Sequence, residues 1–567
     1  MTKRRPRVRK PKQKSPQRRA DEALAAGRYL DAIDLLKRIL ERDNANGKAY
    51  FMLGTALQKL GELEAAIKAF RLSGMLLKNE PGIPNSIGLA LLGLGRPREA
   101  ADCFKDALAI APELPELYAN LANACRTLGR LDEAIAAIEE ARRLDPSNAE
   151  LHRLYLMTLV YSPDVDNETL FEKHREFETT HAKPRYAERI RYNRDTDSVR
   201  RLRIGYVSSD FKDHPVGHNI APLIFHHDPK AFEVFLYAHV TSRDPMVAAF
   251  EDSAHHWLNI AGFTDARLAK RIAQDRIDIL VVPAGHLDHN RPLVAAYGPA
   301  PIQISYHDIC TSGMRVYDYL LTDPFIHPPG HADRFTERLV RLPTFYAYNE
   351  PRCSPEIADP PCVENKGVMF GSFNNPGKMN PHVMRLWSKI LLDTPNASLL
   401  LSYSSALQGE AEQNRIRKCF ADNGVHRSRI VFDVGKKNRP EHLERYQRVD
   451  IALDPFPFNG ATTTFEALWM GVPVITLPGD RLMSRISGSL LKAVGLTETI
   501  ADCEASYLRI ARDLCSDVEG LTVLRHRLRE RVVDRLCNPE RYARQVERLM
   551  RGMWRVRCAR NRTSELQ

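Results

Sequence analysis

The sequence predicts a helical-repeat solenoid followed by two α/β lobes, and three observations predict it. Glycines recur every 34 residues between Gly27 and Gly129. From residue 202 onward, short apolar runs alternate with amphipathic stretches. A Pro-rich stretch with charges, NEPRCSPEIADPPCVENKG (349–367), interrupts that alternation once and so divides it into two lobes.

The repeats come first. GRYLDAIDLL begins at Gly27, GELEAAIKAF at Gly61, GRPREAADCF at Gly95 and GRLDEAIAAI at Gly129. Five residues after each glycine stands an alanine (Ala32, Ala66, Ala100, Ala134), and nine after it a large apolar residue (Leu36, Phe70, Phe104, Ile138). Seven residues before the last three glycines stands a small residue (Gly54, Gly88, Ala122), where one helix must approach another closely. This period, with small residues at helix contacts, is the signature of tetratricopeptide (TPR) repeats, which stack antiparallel helix pairs into a curved solenoid. The expected span is 20–163, and the expected partner is an extended protein or peptide in the concave groove.

Residues 164–200 read as a charged, partly helical connector. LRIGYVSSDF (202–211), FEVFLYAHV (232–240), IDILVVPA (277–284) and PIQISYHD (301–308) read as buried strands of a first lobe, 201–348. After the linker at 349–366, GVMFGSF, ASLLLSY, RIVFDV, VDIALDPF and PVITLP repeat the pattern in a second lobe, 367–567, which ends in helices. Such alternation predicts parallel sheets covered by helices, with ligands at the carboxyl ends of the strands.

Composition narrows the function classes. The chain has 567 residues, long enough for about three or four domains. No run approaches the roughly 18 apolar residues of a membrane span. The net charge is +11, but residues 1–19 alone hold ten Lys or Arg and no acid; taking those ten from 82 leaves 72 cations against 71 acids. Basicity therefore belongs to a tail. It lacks the apolar core of a secretory signal, and it reads as a disordered arm whose contact with nucleic acid or anionic lipid is weak. Ten cysteines without a C-x-x-C pair indicate reduced thiols and a cytoplasmic location, without zinc or disulfides.

The densest chemistry lies in NGATTTFEALWMGVPVITLPGD (459–480). VDIALDPF reads as a strand, FNGA as a loop, TTFEALWM as a helix stopped by Gly471, and PVITLP as the next strand. Thr462, Thr463 and Thr464 then stand at a helix N-terminus, where free N–H groups and the helix dipole attract phosphate. Threonine is also a good helix cap, which is the competing reading. Glu466 is expected in the first helical turn, within reach of a sugar hydroxyl, and a phosphate site beside a carboxylate suggests a nucleotide. Lys378, in GSFNNPGKMNP (371–381), is placed to neutralise a pyrophosphate leaving group without a metal. The triplets Asp164/Asp166 and Asp195/Asp197 fall in the connector instead of at a strand end, which leaves a metal route little support.

In the first lobe, DFKDHPVGHNI (210–220) sets His214 and His218 four apart. On a helix that spacing suits zinc, but Pro215 and Gly217 argue for a loop. His214 is expected at the mouth of the cleft, against the transferred group or the acceptor. His286, in GHLDHNRP (285–292), follows another strand; with His218 it is a candidate for the acceptor or sugar pocket.

At these residues the sequence resembles the O-linked N-acetylglucosamine transferases, including their SPINDLY-type branch, which join TPR repeats to a two-lobed GT-B glycosyltransferase. The motifs are RIGYVSSDFKDHP, AGH (284–286), PAPIQ (299–303), SFNNPGK (372–378) and TTTFEALWMGVPVITLPGDR (462–481). The resemblance implies that Lys378 contacts the donor diphosphate, with Asn375 a neighbouring donor-site residue. It implies that His442 and Arg445 line the nucleotide pocket, that the loop of Thr462 and Thr463 holds the pyrophosphate, and that Glu466 lies near the ribose. His214 matches a histidine close to the reaction centre. The implied reaction is a metal-independent, inverting sugar transfer to Ser or Thr with UDP-GlcNAc as donor and no cofactor. GDP-fucose, the donor of plant SPINDLY-type members, is the alternative, and a TPR scaffold with an inactive transferase is another.

This chain departs from the family pattern at Ala461, where the O-GlcNAc transferases carry histidine, and at Glu466, where they carry aspartate. Their YPGTSG loop is HDICTSG here (307–313). An asparagine expected six residues before each repeat glycine is present at Asn123 but is Thr55 and Leu89 in the preceding repeats.

Overall fold

A computed structural model describes residues 15–192, 196–287, 289–365, 367–403, 407–434 and 438–565. Most of the basic tail, and Asp195 of the second acidic triplet, lie outside them. The chain divides into two compact units, Met1–Leu128 with Ala136–Leu144, and Gly129–Ile135 with Asp145–Gln567. The division falls near 145, so the helix Ala149–Tyr161, assigned from sequence to the repeats, belongs to the second unit.

In the first unit, helices pair about the repeat glycines. Gly27, Gly61 and Gly95 take φ of 71°, 83° and 70°, the left-handed conformation that ends a helix at little cost to glycine. The small residues have a direct physical cause: a Cβ on Gly54 would lie 2.6 Å from the Phe70 ring, and one on Gly88 2.6 Å from Phe104. Both rings are fully buried. The tail is shorter than its charge suggests. Ser15 accepts the Arg18 N–H and Pro16 starts a helix, Pro16–Ala25, so Arg18 and Arg19 are helical.

In the second unit, Ala149–Tyr161 is followed by the helix Asn167–Phe177, a π-helical turn Glu178–Ala182 and a 3-10 turn Lys183–Glu188. Its first sheet contains β1 (Leu202–Ser208), β2 (Phe232–Ala238), β3 (His256–Asn259), β4 (Ile279–Pro283), β5 (Ile302–Tyr306), β6 (Tyr319–Thr322) and β7 (Arg338–Arg341). The second contains β8 (Met369–Ser372), β9 (Ser398–Leu401), β10 (Ile430–Phe432), β11 (Ile451–Leu453) and β12 (Val474–Ile475). The orders are β3-β2-β1-β4-β5-β6-β7 and β10-β9-β8-β11-β12, with every pairing parallel. Strands β3 and β7 are edge strands, partly exposed and four residues long, and they lack the apolar run that announces the others.

Each sheet reverses its winding once, between β1 and β4 and between β8 and β11. Ligands of open parallel sheets bind outside the strand ends at that reversal. His214 follows β1, His286 follows β4, Lys378 follows β8 and Thr462 follows β11.

The carboxyl edges of the two sheets meet. Arg485 donates to the Ile326 carbonyl (3.1 Å), Leu482 N–H donates to Asp333 (3.1 Å) and Ser489 to Asp323. The last helix, Pro539–Glu565, assigned from sequence to the second lobe, returns to the first. Glu547 accepts from His227 (3.0 Å) and from the Asp228 N–H (2.7 Å), and Trp554 donates to the Asp197 carbonyl (2.9 Å). Among the described residues no helix is long and apolar enough to cross a membrane.

Candidate active site

The helix Thr462–Trp469 begins at the first threonine and stops at Gly471, whose φ is 77°. Ala461 precedes it with no side chain to cap it, and none of the threonines caps it either. Thr464 Oγ1 pairs with Ser487 Oγ at 2.7 Å, and Thr463 Oγ1 donates to Asn374 Oδ1 at 3.1 Å. Thr462 Oγ1 is buried and has no hydrogen-bond partner among the described residues. This hydroxyl adjoins first-turn N–H groups that have no acceptor within the helix, a set of donors of the kind that a phosphate can accept from.

Asp454, at the end of β11, holds the loop from beneath. Its carboxylate accepts the Gly460 N–H and the Thr476 hydroxyl, both at 2.7 Å. Lys378 Nζ donates to the Asn459 carbonyl at 2.7 Å and lies 4.1 Å from the centre of the Phe458 ring. Burial lowers the lysine below its ordinary range, and the Asp454 charge opposes that shift. Burial likewise raises Asp454. The loop therefore carries a cation held in place before any anion arrives.

Glu466 is the fifth residue of its helix, one position deeper than expected and just past the first turn, because the helix starts at Thr462 itself. It is buried and engaged: Arg439 pairs with Oε1, while His442 (2.9 Å) and the Tyr446 hydroxyl (3.2 Å) meet Oε2. Burial alone would raise its pKa, but the His442 hydrogen bond and the Arg439 charge outweigh burial and hold it below the ordinary glutamate range. Arg445, also buried, donates to Ser402 Oγ at 3.2 Å and lies 3.4 Å from Asp433. Asn375 accepts the Gly377 N–H and caps the short turn that carries Lys378. Its neighbour Asn374 is the one that reaches the threonine loop.

Pro215 does not prevent a helix after His214; it occupies the first position of the helix Pro215–Ile224, where its missing N–H costs nothing. His214 is the cap: its Nδ1 accepts the Val216 N–H at 3.3 Å and lies 3.6 Å from Asp210. His218, inside that helix, meets Asp213 at 2.7 Å. His286 is enclosed, with Nε2 on the Ser312 carbonyl (2.8 Å) and the Phe177 ring edge-on at 4.6 Å; burial drives its pKa far down. It is buried at the turn after β4, and its Nδ1 has no hydrogen-bond partner among the described residues. In the connector, Asp166 caps the helix Asn167–Phe177 by accepting the Thr169 N–H.

Sequence reasoning missed Asp454, Asn374, Arg439 and Tyr446. Asp454 had a signal, an acid that ends a strand beside the winding reversal. The other three are recognisable only from what they touch.

The glycosyl transferase family 41 model matches residues 168–352 and 361–546, which include both winding reversals and every residue of this site. The chain belongs to glycosyltransferase family 41. Two TPR models match residues 23–75 and 86–149. Among curated members, the chain is 32% identical over 432 residues to a rice (Oryza sativa subsp. japonica) protein named probable UDP-N-acetylglucosamine–peptide N-acetylglucosaminyltransferase SPINDLY, covering 75% of this chain and 46% of that one. It is 35% identical over 375 residues to the SEC protein of Arabidopsis thaliana, covering 64% and 38%. The chain thus spans less than half the length of these relatives. A point mutant of the Thermobaculum terrenum O-GlcNAc transferase superposes with a TM-score of 0.84 and 32% identity, over 91% of this chain and 99% of that one. The fold of this family 41 member is therefore a set of TPR helices followed by two parallel-sheet lobes of GT-B type.

Proposed function

We propose that the protein is an inverting, metal-independent protein O-glycosyltransferase that moves GlcNAc from UDP-GlcNAc to Ser or Thr of acceptors bound by its TPR helices. The observation that carries this reading is the convergence of Lys378, a Thr462 hydroxyl without a hydrogen-bond partner among the described residues, and a helix N-terminus at the winding reversal of the second sheet. A diphosphate has the charge and shape that this set receives. As the acceptor oxygen bonds to the anomeric carbon, the bond from that carbon to the diphosphate oxygen breaks and the diphosphate keeps the electron pair. Lys378 and the helix N-terminus stabilise that charge where it develops, while the acceptor proton passes to a base. His214 adjoins the corresponding reversal of the first sheet, on the side where the transferred sugar and acceptor would lie. The relatives' printed names support UDP-GlcNAc. Ala461 and Glu466, where this chain departs from the O-GlcNAc transferase pattern, make GDP-fucose a second donor to test.

Incubation with UDP-GlcNAc, GDP-fucose or UDP-glucose, with and without cell lysate, tests the reading. Lysate-dependent protein labelling from one donor, lost in Lys378→Ala, is the expected result. Nucleotide binding without transfer from any donor, with acceptor-competent lysate verified by an active transferase, would sink it in favour of a scaffold.

A further inference from the structure

One peptide group in the threonine loop is held at its two ends by charges of opposite sign. The Asn459 carbonyl accepts from Lys378 Nζ at 2.7 Å, and the Gly460 N–H, on the same peptide, donates to Asp454 Oδ1 at 2.7 Å. A cation on the carbonyl and a carboxylate on the N–H polarise a peptide in the same sense, so each strengthens the other's hydrogen bond. The next carbonyl, that of Gly460, accepts from Ser487 Oγ at 3.0 Å, and Ser487 also pairs with Thr464. A Cβ on Gly460 would lie 2.5 Å from Thr463 Oγ1 and 3.2 Å from Asp454 Oδ1, so glycine alone lets this peptide pass between the carboxylate and the threonines.

Asp454 is 1% exposed and lies beneath the loop, so it bears on the phosphate site through this peptide and through its charge. Among the described residues it is the charged group that acts on Lys378: burial lowers the lysine, and the Asp454 charge opposes that fall. The hydroxyls of Thr476 and Ser487 favour the ionised carboxylate against burial. The other titratable groups around the pair are engaged elsewhere. Tyr507 donates to the Asp454 backbone carbonyl at 3.3 Å, and burial keeps its hydroxyl protonated. His382, against the Phe456 ring at 5.2 Å, pairs with Glu504, and Tyr161 lies 4.9 Å from the Phe458 ring that faces Lys378.

We propose that Asp454 is a positioning residue of the donor site, which fixes Lys378 and the threonine loop through the Asn459–Gly460 peptide and so sets the upper pH limit of diphosphate binding. This rests on the nucleotide-sugar reading of the cleft. Calorimetric titration of the full chain with UDP-GlcNAc and GDP-fucose, whose diphosphates keep their charge from about pH 6 to about 9, reads affinity against pH. Wild-type affinity is expected to fall toward the alkaline end as Lys378 loses its proton, and Lys378→Ala to lack that fall. Asp454→Asn keeps the shape and an acceptor for the Gly460 N–H but removes the charge, and is expected to bring the fall at least about one pH unit lower. A carboxylate that merely braced the loop would instead give a loss uniform in pH. Thermal melting identifies a variant that fails to fold; Asp454→Ser then replaces Asp454→Asn, with the same direction expected. If the neutral variant does not bring the fall to lower pH, or if the fall persists at the same pH in Lys378→Ala, the proposal is overturned and the phosphate site stands. A wild-type protein that binds neither donor would overturn the nucleotide-sugar reading and this proposal with it.

Discussion

Glu466 in the second lobe and Asp308 in the first are both buried carboxyl groups close to the strand ends, yet their surroundings treat them in opposite ways. Glu466 is met by Arg439, His442 and Tyr446. Asp308 is met by backbone, with the Ile309 N–H on Oδ1 and the His286 N–H beside the carboxyl. Around Glu466 the charge is met by side chains already in place, a preorganised environment. Around Asp308 the fold supplies backbone N–H groups, and burial outweighs them. The second lobe thus stabilises a buried carboxylate with charged and polar partners, whereas the first lobe disfavours the charge of one by burial.

The largest test of that contrast is Lys378→Ala. If the second lobe supplies charge stabilisation common to all donors, kcat/KM should fall about 100- to 1,000-fold with any donor the protein uses, roughly the loss of one preorganised donor at a developing charge. The measurement is steady-state transfer with each donor in turn. A loss confined to one sugar would mean that Lys378 belongs to sugar selection, and the contrast would fail.

The second test is the pH dependence of stability. In the folded state Asp308 is raised to about 7, whereas an unfolded aspartate titrates near about 4. The folded chain therefore holds more protons between those values, and stability is lost as pH rises through that window, by on the order of 1 kcal/mol per pH unit. Asp308→Asn should remove this component in urea titrations at pH 5 and 8. Glu466 has the opposite sign: its folded pKa is lowered, so its contribution is present above about 4.5 and is lost as pH falls below that. If Asp308→Asn leaves the slope unchanged, the two carboxyl groups are alike after all.

The third test is smaller. Glu466→Gln keeps the shape but removes the charge that Arg439 and His442 share, and a charged hydrogen bond is worth about 1.5–3 kcal/mol. Arg439 is 37% exposed and can turn to water, so about 1–2 kcal/mol is expected from denaturant midpoints at constant slope. In a double-mutant cycle with Arg439→Ala, the two losses should sum to more than the double variant's loss.

What the sequence made legible follows the range of the interactions involved. The repeats were visible because Gly54 and Phe70, or Gly88 and Phe104, meet within one repeat, so a local spacing records the contact. The strand, loop and helix around Thr462 were visible for the same reason. Hidden features depended on partners far along the chain: Asn374 meets Thr463 across 89 positions, and Lys378 meets Asn459 across 81. An acid that ends a strand looks the same in sequence whether it is solvated or buried, so Asp454 could be noticed for its position, but its burial could not be read. The errors at Pro215 and Glu466 share another cause. Each turned on the residue at which a helix begins, and a shift of a few positions turns a helix breaker into a favoured first residue, or moves a carboxylate from the first turn to the second.

The finest test lies within the second lobe, on two adjacent threonines. Thr463 Oγ1 donates to Asn374, so Thr463→Val should cost about 1 kcal/mol of stability, the worth of one hydrogen bond. Thr462 Oγ1 has no hydrogen-bond partner among the described residues, so Thr462→Val, equal in shape, should leave the urea midpoint almost unchanged and weaken UDP and GDP alike by a similar ~1 kcal/mol. Equal destabilisation by both variants would mean that the Thr462 hydroxyl is used within the fold. The phosphate would then be held by Lys378 and the helix N–H groups alone, and the nucleotide side of the cleft would be as fully self-satisfied at its loop as it is at Glu466.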